Sequence, residues 1–233
     1  MNRLGMIVLV IAMGALPCVA ETFEEVEKQI RAATKKVKSM AADMKSEMNM
    51  KQEGFESKTL TVGKIETLRE GDKIKMRMDS TSSTVVKVAG TESKQEQKML
   101  VVSDGVFSYS LVDSAQGKMA IKSKAQKTGD VPWGQASEGA TFKVLPDEKI
   151  DGEDCFVVEM RVAGGSGGGS IGRTVFYCRK DFGIQVKSVG YTPDDKVMMT
   201  TTFTNIKLNE KISADRFVFK APAGVTVTDM TGA

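Results

Sequence analysis

The sequence predicts a mainly β protein, with one N-terminal helix followed by antiparallel strands that curl into a barrel or half-barrel. Three observations predict this class. Apolar residues recur every three or four positions from Phe23 to Met44, as on one face of a helix. From Met48 onward they alternate with polar residues in about ten strand-like stretches. Short turns such as Asp104-Gly105 separate these stretches in hairpin order.

The first 20 residues have the pattern of a secretory signal peptide. Arg3 precedes an apolar stretch that ends at Pro17, and the small residues Cys18 and Ala20 precede a cut before Glu21. This apolar stretch is shorter than a typical transmembrane helix. We therefore predict export to the periplasm, with residues 1–20 as the signal peptide and residues 21–233 as one domain. Lipid modification of Cys18 is the alternative, although Pro17 is a poor residue before such a site.

Length and charge limit the classes of function. A chain of 233 residues with 41% hydrophobic residues can bury a sizeable core in one domain. The formal net charge of +3 is too small to indicate the concentrated basic stripe of a nucleic-acid-binding protein. The basic run at Lys35–Lys38 is interpreted as a solvated helix face, with contact to anionic lipid as the alternative. We predict no nucleic-acid partner.

The predicted helix begins near Phe23 and runs for about 20 residues. Its apolar stripe consists of Val26, Ile30, Ala33, Val37, Met40 and Met44. Glu24 and Glu25 stand in the first turn, where negative charge suits the positive end of the helix dipole. Such a stripe needs a sheet to pack against.

The strands that follow are predicted from period-two alternation. Ile74, Met76 and Met78 share one face of a stretch whose other face is basic. Turns are predicted at residues 70–72, 104–105, 151–152 and 193–195. Phe217 and Phe219 predict a late strand, which Pro222 and Gly224 interrupt before the alternation resumes at Val225 and Val227.

Residues 124–142 break the alternation and predict a long loop or lid. This stretch contains Trp133, the only tryptophan of the chain. Trp133 is interpreted as a residue that anchors this loop in the core. The more specific alternative is that Trp133 is a lid residue over a ligand cavity. The methionines that remain after signal cleavage also allow two interpretations. They are ordinary core residues in a core that accepts methionine, or they form an adaptable apolar lining for lipid chains.

Cys155 and Cys178 are the two cysteines of the mature chain, and an even pair in an oxidising compartment predicts one disulfide. They stand in two strand-like stretches joined by a Gly-rich loop. Pairing them places Phe156 opposite Tyr177 and Val158 opposite Val175, and closing this loop would contribute about 3 kcal/mol. Two free thiols are the alternative.

The chain contains no histidine, which excludes His-based triads and His-based zinc sites. Acid–base catalysis would have to use carboxylates, Lys or Tyr, and no paired-carboxylate spacing stands out from strand and turn surface. The glycine-rich stretch at 164–172 lacks the lysine of a phosphate-binding loop. We predict a protein that is not an enzyme and uses no cofactor or metal.

The chain resembles the LolA-like periplasmic outer-membrane lipoprotein carriers, a lipoprotein-sorting family. The most specific match is the end of the chain, where an Asn-rich turn precedes Phe217-Val218-Phe219 and then Pro222-Ala-Gly-Val. The second match is Ser103-Asp104-Gly105, followed by an aromatic strand. The family also has an arginine after its second strand, and Arg69 occupies that place. Here Glu70 stands where the family often has proline, and the segment around Trp133 has no clear match.

The resemblance implies an incomplete antiparallel β-barrel, or half-barrel, with an N-terminal helix and lid segments over an apolar cavity. It implies that the terminal Phe-x-Phe strand closes one side of the barrel. Arg69 becomes a candidate latch that hydrogen-bonds the lid through its guanidinium. The candidate lipid-cavity lining comprises Met48, Met50, Ile74, Met76, Met78, Phe107, Tyr109, Trp133, Phe156, Val158 and Met160.

The function that the resemblance implies is a monomeric periplasmic carrier. It would bind the acyl chains of lipoproteins, or another lipid, for transfer towards the outer membrane. Its implied partners are the acylated lipoprotein or lipid, an inner-membrane releasing complex and an outer-membrane receptor. The alternative is a lipid- or partner-sensing interaction module of the same fold.

Overall fold

The computed structural model describes residues 21–126, 130–134, 139–162 and 171–232. The predicted signal peptide lies outside the described residues, as does most of the predicted Gly-rich loop. Within the described ranges, no helix has both the length and the apolar character that a membrane crossing requires.

Helix α1 (Phe23–Thr34) begins at a capping box. The Glu25 backbone amide donates to Thr22 Oγ1 at 3.3 Å, and the Thr22 amide donates to Glu25 Oε2 at 2.9 Å. The helix has 12 residues, so the prediction of about 20 was wrong. Met40 and Met44 lie instead in the first strand. A spacing of four residues keeps two side chains on one face of a helix and also on one face of a strand, so the sequence pattern fitted both.

In the described part of the chain, twelve strands form one open sheet, two more than the sequence indicated. Every neighbouring pair is antiparallel except β12 with β6, which is parallel. The strands are β1 (Ser39–Gln52), β2 (Phe55–Glu70), β3 (Lys73–Val88), β4 (Thr91–Ser103), β5 (Phe107–Ser114), β6 (Gly117–Lys124), β7 (Ala140–Ile150), β8 (Glu153–Val162), β9 (Arg173–Arg179), β10 (Gln185–Tyr191), β11 (Val197–Leu208) and β12 (Val227–Asp229).

The sheet order is β12-β6-β5-β4-β3-β2-β1-β11-β10-β9-β8-β7, so β12 and β7 are its two edges. The sheet is not closed into a barrel, which confirms the predicted half-barrel class with an N-terminal helix. The turns predicted after β2, β4, β7 and β10 all lie between paired strands.

Helix α1 covers one face of the sheet, which we call the inner face. Val26 and Ile30 are fully buried there against Phe156, Val158 and Phe176. The opposite, outer face carries a second buried cluster around Val157, Val175 and Tyr177. The two clusters use alternate residues of the same strands, as expected for strands buried on both faces.

Gly183, in the turn before β10, allows the end of α1 to approach the sheet. Its φ is +66°, and a Cβ at this position would lie 2.4 Å from the carbonyl oxygen of Ile30. Only glycine accepts both the left-handed backbone and this close contact.

The end of the chain follows the outer face, and the prediction of a Phe-x-Phe strand was wrong. Phe217 ends a short 3₁₀-helix (Ala214–Phe217) and is 2% exposed, while Phe219 stacks on Tyr109 with ring centroids 5.0 Å apart. The Arg216 guanidinium donates to Glu66 Oε2 at 2.7 Å. The aromatic residues anchor an irregular segment instead of pairing in a ladder, and only β12 then joins the sheet.

The predicted disulfide is absent, and both cysteines are buried free thiols. The β8–β9 register places Phe156 opposite Cys178 and Val158 opposite Phe176, one residue away from the predicted pairing. A shift of one residue moves a side chain to the other face of the sheet. Cys178 therefore packs in the inner cluster and Cys155 in the outer one.

Candidate functional site

Between β6 and β7, the described residues 130–134 lie over the inner face, and we call them the lid segment. Its residues Val131 and Trp133 pack in the inner cluster with Val26 and Ile30 of α1. Trp133 is 5% exposed and lies 5.7 Å from the ring of Phe23. Its Nε1 is buried without a hydrogen-bond partner among the described residues. Trp133 is thus a core anchor of the lid segment.

A cavity of about 430 Å³ lies between the lid segment, the end of α1 and the inner face of the sheet. Its volume is within the range of small-molecule sites, roughly 300–1,000 Å³. The apolar lining comes from Val37, Met40, Ile65, Ile74, Met76 and Phe203. Lid residues Asp130, Val131 and Pro132 border it on the other side.

Arg69 connects the sheet to the lid segment at the edge of this cavity. Its Nη2 donates to Asp130 Oδ1 at 2.9 Å, and its Nε donates to the Val37 carbonyl at 3.4 Å. Both side chains of the ion pair are largely shielded, at 21% and 25% exposure. One guanidinium therefore holds the lid segment and the turn after α1 together.

The backbone also fixes this corner. The Arg69 amide donates to the Lys38 carbonyl at 2.8 Å, which continues the β1–β2 ladder towards α1. Asn209, at the end of β11, accepts from the Lys38 amide at 2.7 Å through its side chain. Arg69 thus projects from backbone that is hydrogen-bonded to the turn after α1.

The predicted lining residues fall into three groups. Ile74 and Met76 line the cavity. Met78, Met48 and Met50 occupy inner-face positions farther along their strands.

The second group lies beneath α1. Phe156 and Val158 belong to the inner cluster with Trp133, and Met160 packs against it. None of these four residues lines the cavity. The protein's own side chains fill the space beneath α1.

Phe107 and Tyr109 form the third group, and their predicted place in the cavity was wrong. Met76 lies opposite Ser103, and Ser103 lies opposite Ser108, so these three share the inner face. Phe107 and Tyr109 flank Ser108 and face outward, where Tyr109 meets Phe219.

The sequence interpretation missed Asp130, Met40, Ile65 and Phe203. Met40 was assigned to the helix, and Asp130 stands in a segment with no periodic pattern. Ile65 and Phe203 could have been found from strand alternation once Met40 was placed in β1, because the cross-strand register brings Met44 opposite Phe203 and Ala42 opposite Ile65. Within the described ranges, no three carboxylate or cysteine side chains are grouped as a metal site would require.

No protein-family model matches the chain, and no curated protein matches it by sequence. Among solved structures, it is similar to the MucA/MucB complex of Pseudomonas aeruginosa, at 12% identity and a TM-score of 0.50. That match covers 84% of this chain and 60% of the other, so the chain spans about three fifths of the MucB structures it matches. At this identity the likeness is one of fold.

LolA-related structures are also among those similar to the chain. A putative outer membrane lipoprotein-sorting protein domain from Vibrio parahaemolyticus matches at 14% identity and a TM-score of 0.35, covering 83% of this chain and 94% of the other. A LolA superfamily protein from Nitrosomonas europaea matches at 13% identity and a TM-score of 0.31, covering 86% and 99%.

Proposed function

We propose that this protein is a periplasmic carrier that binds the acyl chains of lipoproteins, or another lipid, for transfer towards the outer membrane. The observation that supports this most is the apolar cavity between the lid segment and the inner face. Carriage needs a site that shields an apolar chain from water and can open again. The cavity supplies the shield, and the Arg69–Asp130 pair supplies a contact that can be broken.

The free energy of burial limits how such a carrier can work. Burying a methylene contributes about 0.8 kcal/mol, so a chain of about 15 carbons offers roughly 12 kcal/mol before costs. Full burial of several chains would make release very slow. A cavity of about 430 Å³ therefore suits partial burial, with the lid segment displaced as the chains enter.

The experiment is native mass spectrometry of the full chain purified from its own periplasm. Acyl chains or a lipoprotein should co-purify and dissociate on collisional activation. As a control, Met76→Glu places a carboxylate in the cavity wall and should abolish the bound mass while circular dichroism remains that of the parent. Parent protein that is free of lipid and takes up none from vesicles would contradict the proposal.

The alternative is an interaction module that reads a lipid or a protein partner without transferring either. The similarity to MucB, whose structure was solved with MucA, favours this alternative through the shared fold. A transfer assay separates the two, because a carrier moves lipid from donor to acceptor vesicles. A sensing module binds lipid without moving it, and its binding changes the affinity for a protein partner.

A further inference from the structure

The inner face of the long strands is free of charge beyond the cavity. On β1, Lys45 and Glu47 face outward while Ser46 and Met48 face inward. The same alternation runs through β2, β3, β4 and β5, all of which the structure describes. In these five strands, Arg69 is the single charged residue at an inner-face position, and Asp130 neutralises it.

Uncharged polar residues form a continuous row across this face. Cross-strand pairing joins neighbours on six successive strands from β10 to β4, in the order Ser188, Thr201, Ser46, Thr61, Ser82 and Gln97. We call this set the hydroxyl row. Residues directly opposite each other on adjacent strands point to the same face, so the row is one polar band across the hollow of the sheet.

The hydroxyl row keeps unused hydrogen-bonding capacity. Ser46 Oγ lies 3.0 Å from Thr201 Oγ1, and Thr61 Oγ1 lies 2.8 Å from Ser82 Oγ. Each hydroxyl has one donor and two acceptor sites, so a single mutual bond leaves acceptors free. One step nearer the cavity, the Ser80 hydroxyl is buried without any partner among the described residues.

The distance between the cavity and the hydroxyl row matches one acyl chain. Ser46 is six residues along β1 from Met40, which lines the cavity. At about 3.3 Å per residue, the two are about 20 Å apart. With C–C bonds of about 1.5 Å, an extended chain of roughly 15 carbons spans a similar length.

We infer that the ligand of this protein is an electroneutral amphiphile, whose acyl chain runs along the inner face into the cavity and whose uncharged, hydroxyl- or amide-bearing head group lies against the hydroxyl row. This inference rests on the proposed function and names the substrate class of the same site. Beside the hydroxyl row, an anionic phosphate would meet no unpaired cation at the inner-face positions of β1 to β5, because Arg69 is paired with Asp130. Lys38 and Lys124 lie at the cavity end of the sheet, away from the row. An uncharged head group can use the free hydroxyls.

Two probes with the same 14-carbon chain test this, monomyristoylglycerol and the lysophosphatidylglycerol that carries a phosphate. Binding to the delipidated full chain is followed by the fluorescence of Trp133, the only tryptophan. We expect the neutral probe to bind at least ten times more tightly. Ser82→Asp should weaken binding of the neutral probe about tenfold, because it places a charge in the hydroxyl row.

Ser83→Asp is the matched control, since Ser83 is the next residue on the same strand and faces outward. It should leave both affinities unchanged. Ser82→Lys is the second variant and should move the preference towards the anionic probe, so the inference remains testable if Ser82→Asp does not fold. Circular dichroism checks the fold of each variant.

The outcomes are distinct. If neither probe binds, the proposed lipid binding fails, and this inference fails with it. If both probes bind equally and Ser82→Asp and Ser82→Lys change neither affinity, lipid binding stands while the neutral-ligand inference is overturned. Tighter binding of the anionic probe to the parent protein also overturns it.

Discussion

Arg69 Nη2 lies 2.9 Å from Asp130 Oδ1, and this ion pair ties strand β2 to the lid segment. We predict that Asp130→Asn opens the lid segment more often, because the amide keeps the shape but loses the charge. A partly shielded pair of this kind should contribute about 1 kcal/mol, or roughly a fivefold change in opening. Acrylamide quenching of Trp133 measures the change, since opening exposes its buried ring.

Asp195→Asn is the control for this variant. It breaks an ion pair with Arg173 at 2.8 Å, away from the lid segment, and should not alter quenching. Arg69→Leu combined with Asp130→Asn should change quenching about as much as either single variant, as expected for partners in one contact. Unaltered quenching and lipid release in Arg69→Leu would show that the pair is not a latch.

Gly183→Ala should destabilise the protein because of the close approach of α1 to the turn before β10. The added Cβ would lie 2.4 Å from the Ile30 carbonyl oxygen, in a backbone with φ +66°. The left-handed backbone costs an alanine about 1–2 kcal/mol, and the clash should add about 1–3 kcal/mol. Urea unfolding followed by circular dichroism gives the free energy of unfolding.

Gly71→Ala separates the two costs. Gly71 has φ +60°, and a Cβ there would meet no atom within 4 Å, so only the backbone cost applies. Equal losses of unfolding free energy in the two variants would mean that Gly183 does not control the packing of α1.

Trp133→Ala should cost about 3–5 kcal/mol of unfolding free energy, because it empties the space between α1 and the sheet. Trp133→Phe should cost less than about 1.5 kcal/mol, since it keeps an aromatic ring and removes the unpartnered Nε1 group. Circular dichroism in urea measures both variants. A loss below about 1 kcal/mol in Trp133→Ala would show that the lid segment is not anchored in the core.

Alternation predicted strands such as β1 and β2 well, because each of them buries one face more than the other. The turns at Asp104-Gly105 and Asp151-Gly152 were equally predictable, since these dipeptides favour tight turns. Alternation does not say which face of a strand is the inner one. On β5 the serines face the cavity side and the aromatic residues Phe107 and Tyr109 face outward, where the end of the chain covers Tyr109.

Contacts between distant segments were the part that the sequence could not predict. Asp130 pairs with Arg69 across 61 positions, and no local pattern records that pairing. The register of β8 and β9 was missed by one residue, because β9 is apolar on both faces. Either Val175 and Tyr177 or Phe176 and Cys178 could be placed beside Phe156 and Val158.

The free thiols give the last prediction. Burial raises the pKa of both the Cys155 and the Cys178 thiols, so little reactive thiolate exists near neutral pH. In folded protein we expect no reaction with Ellman's reagent at pH 8 over minutes. Unfolding the chain that begins at Glu21 in guanidinium without reductant should then release two reactive thiols, from Cys155 and Cys178, and finding none would establish a disulfide. The variants Cys155→Ala and Cys178→Ala extend the test to stability. The two residues pack on opposite faces of the sheet, so the losses of unfolding free energy should add in the double variant. If a disulfide joined the two cysteines, either single variant would break it. The double variant would then lose less unfolding free energy than the sum of the two single variants.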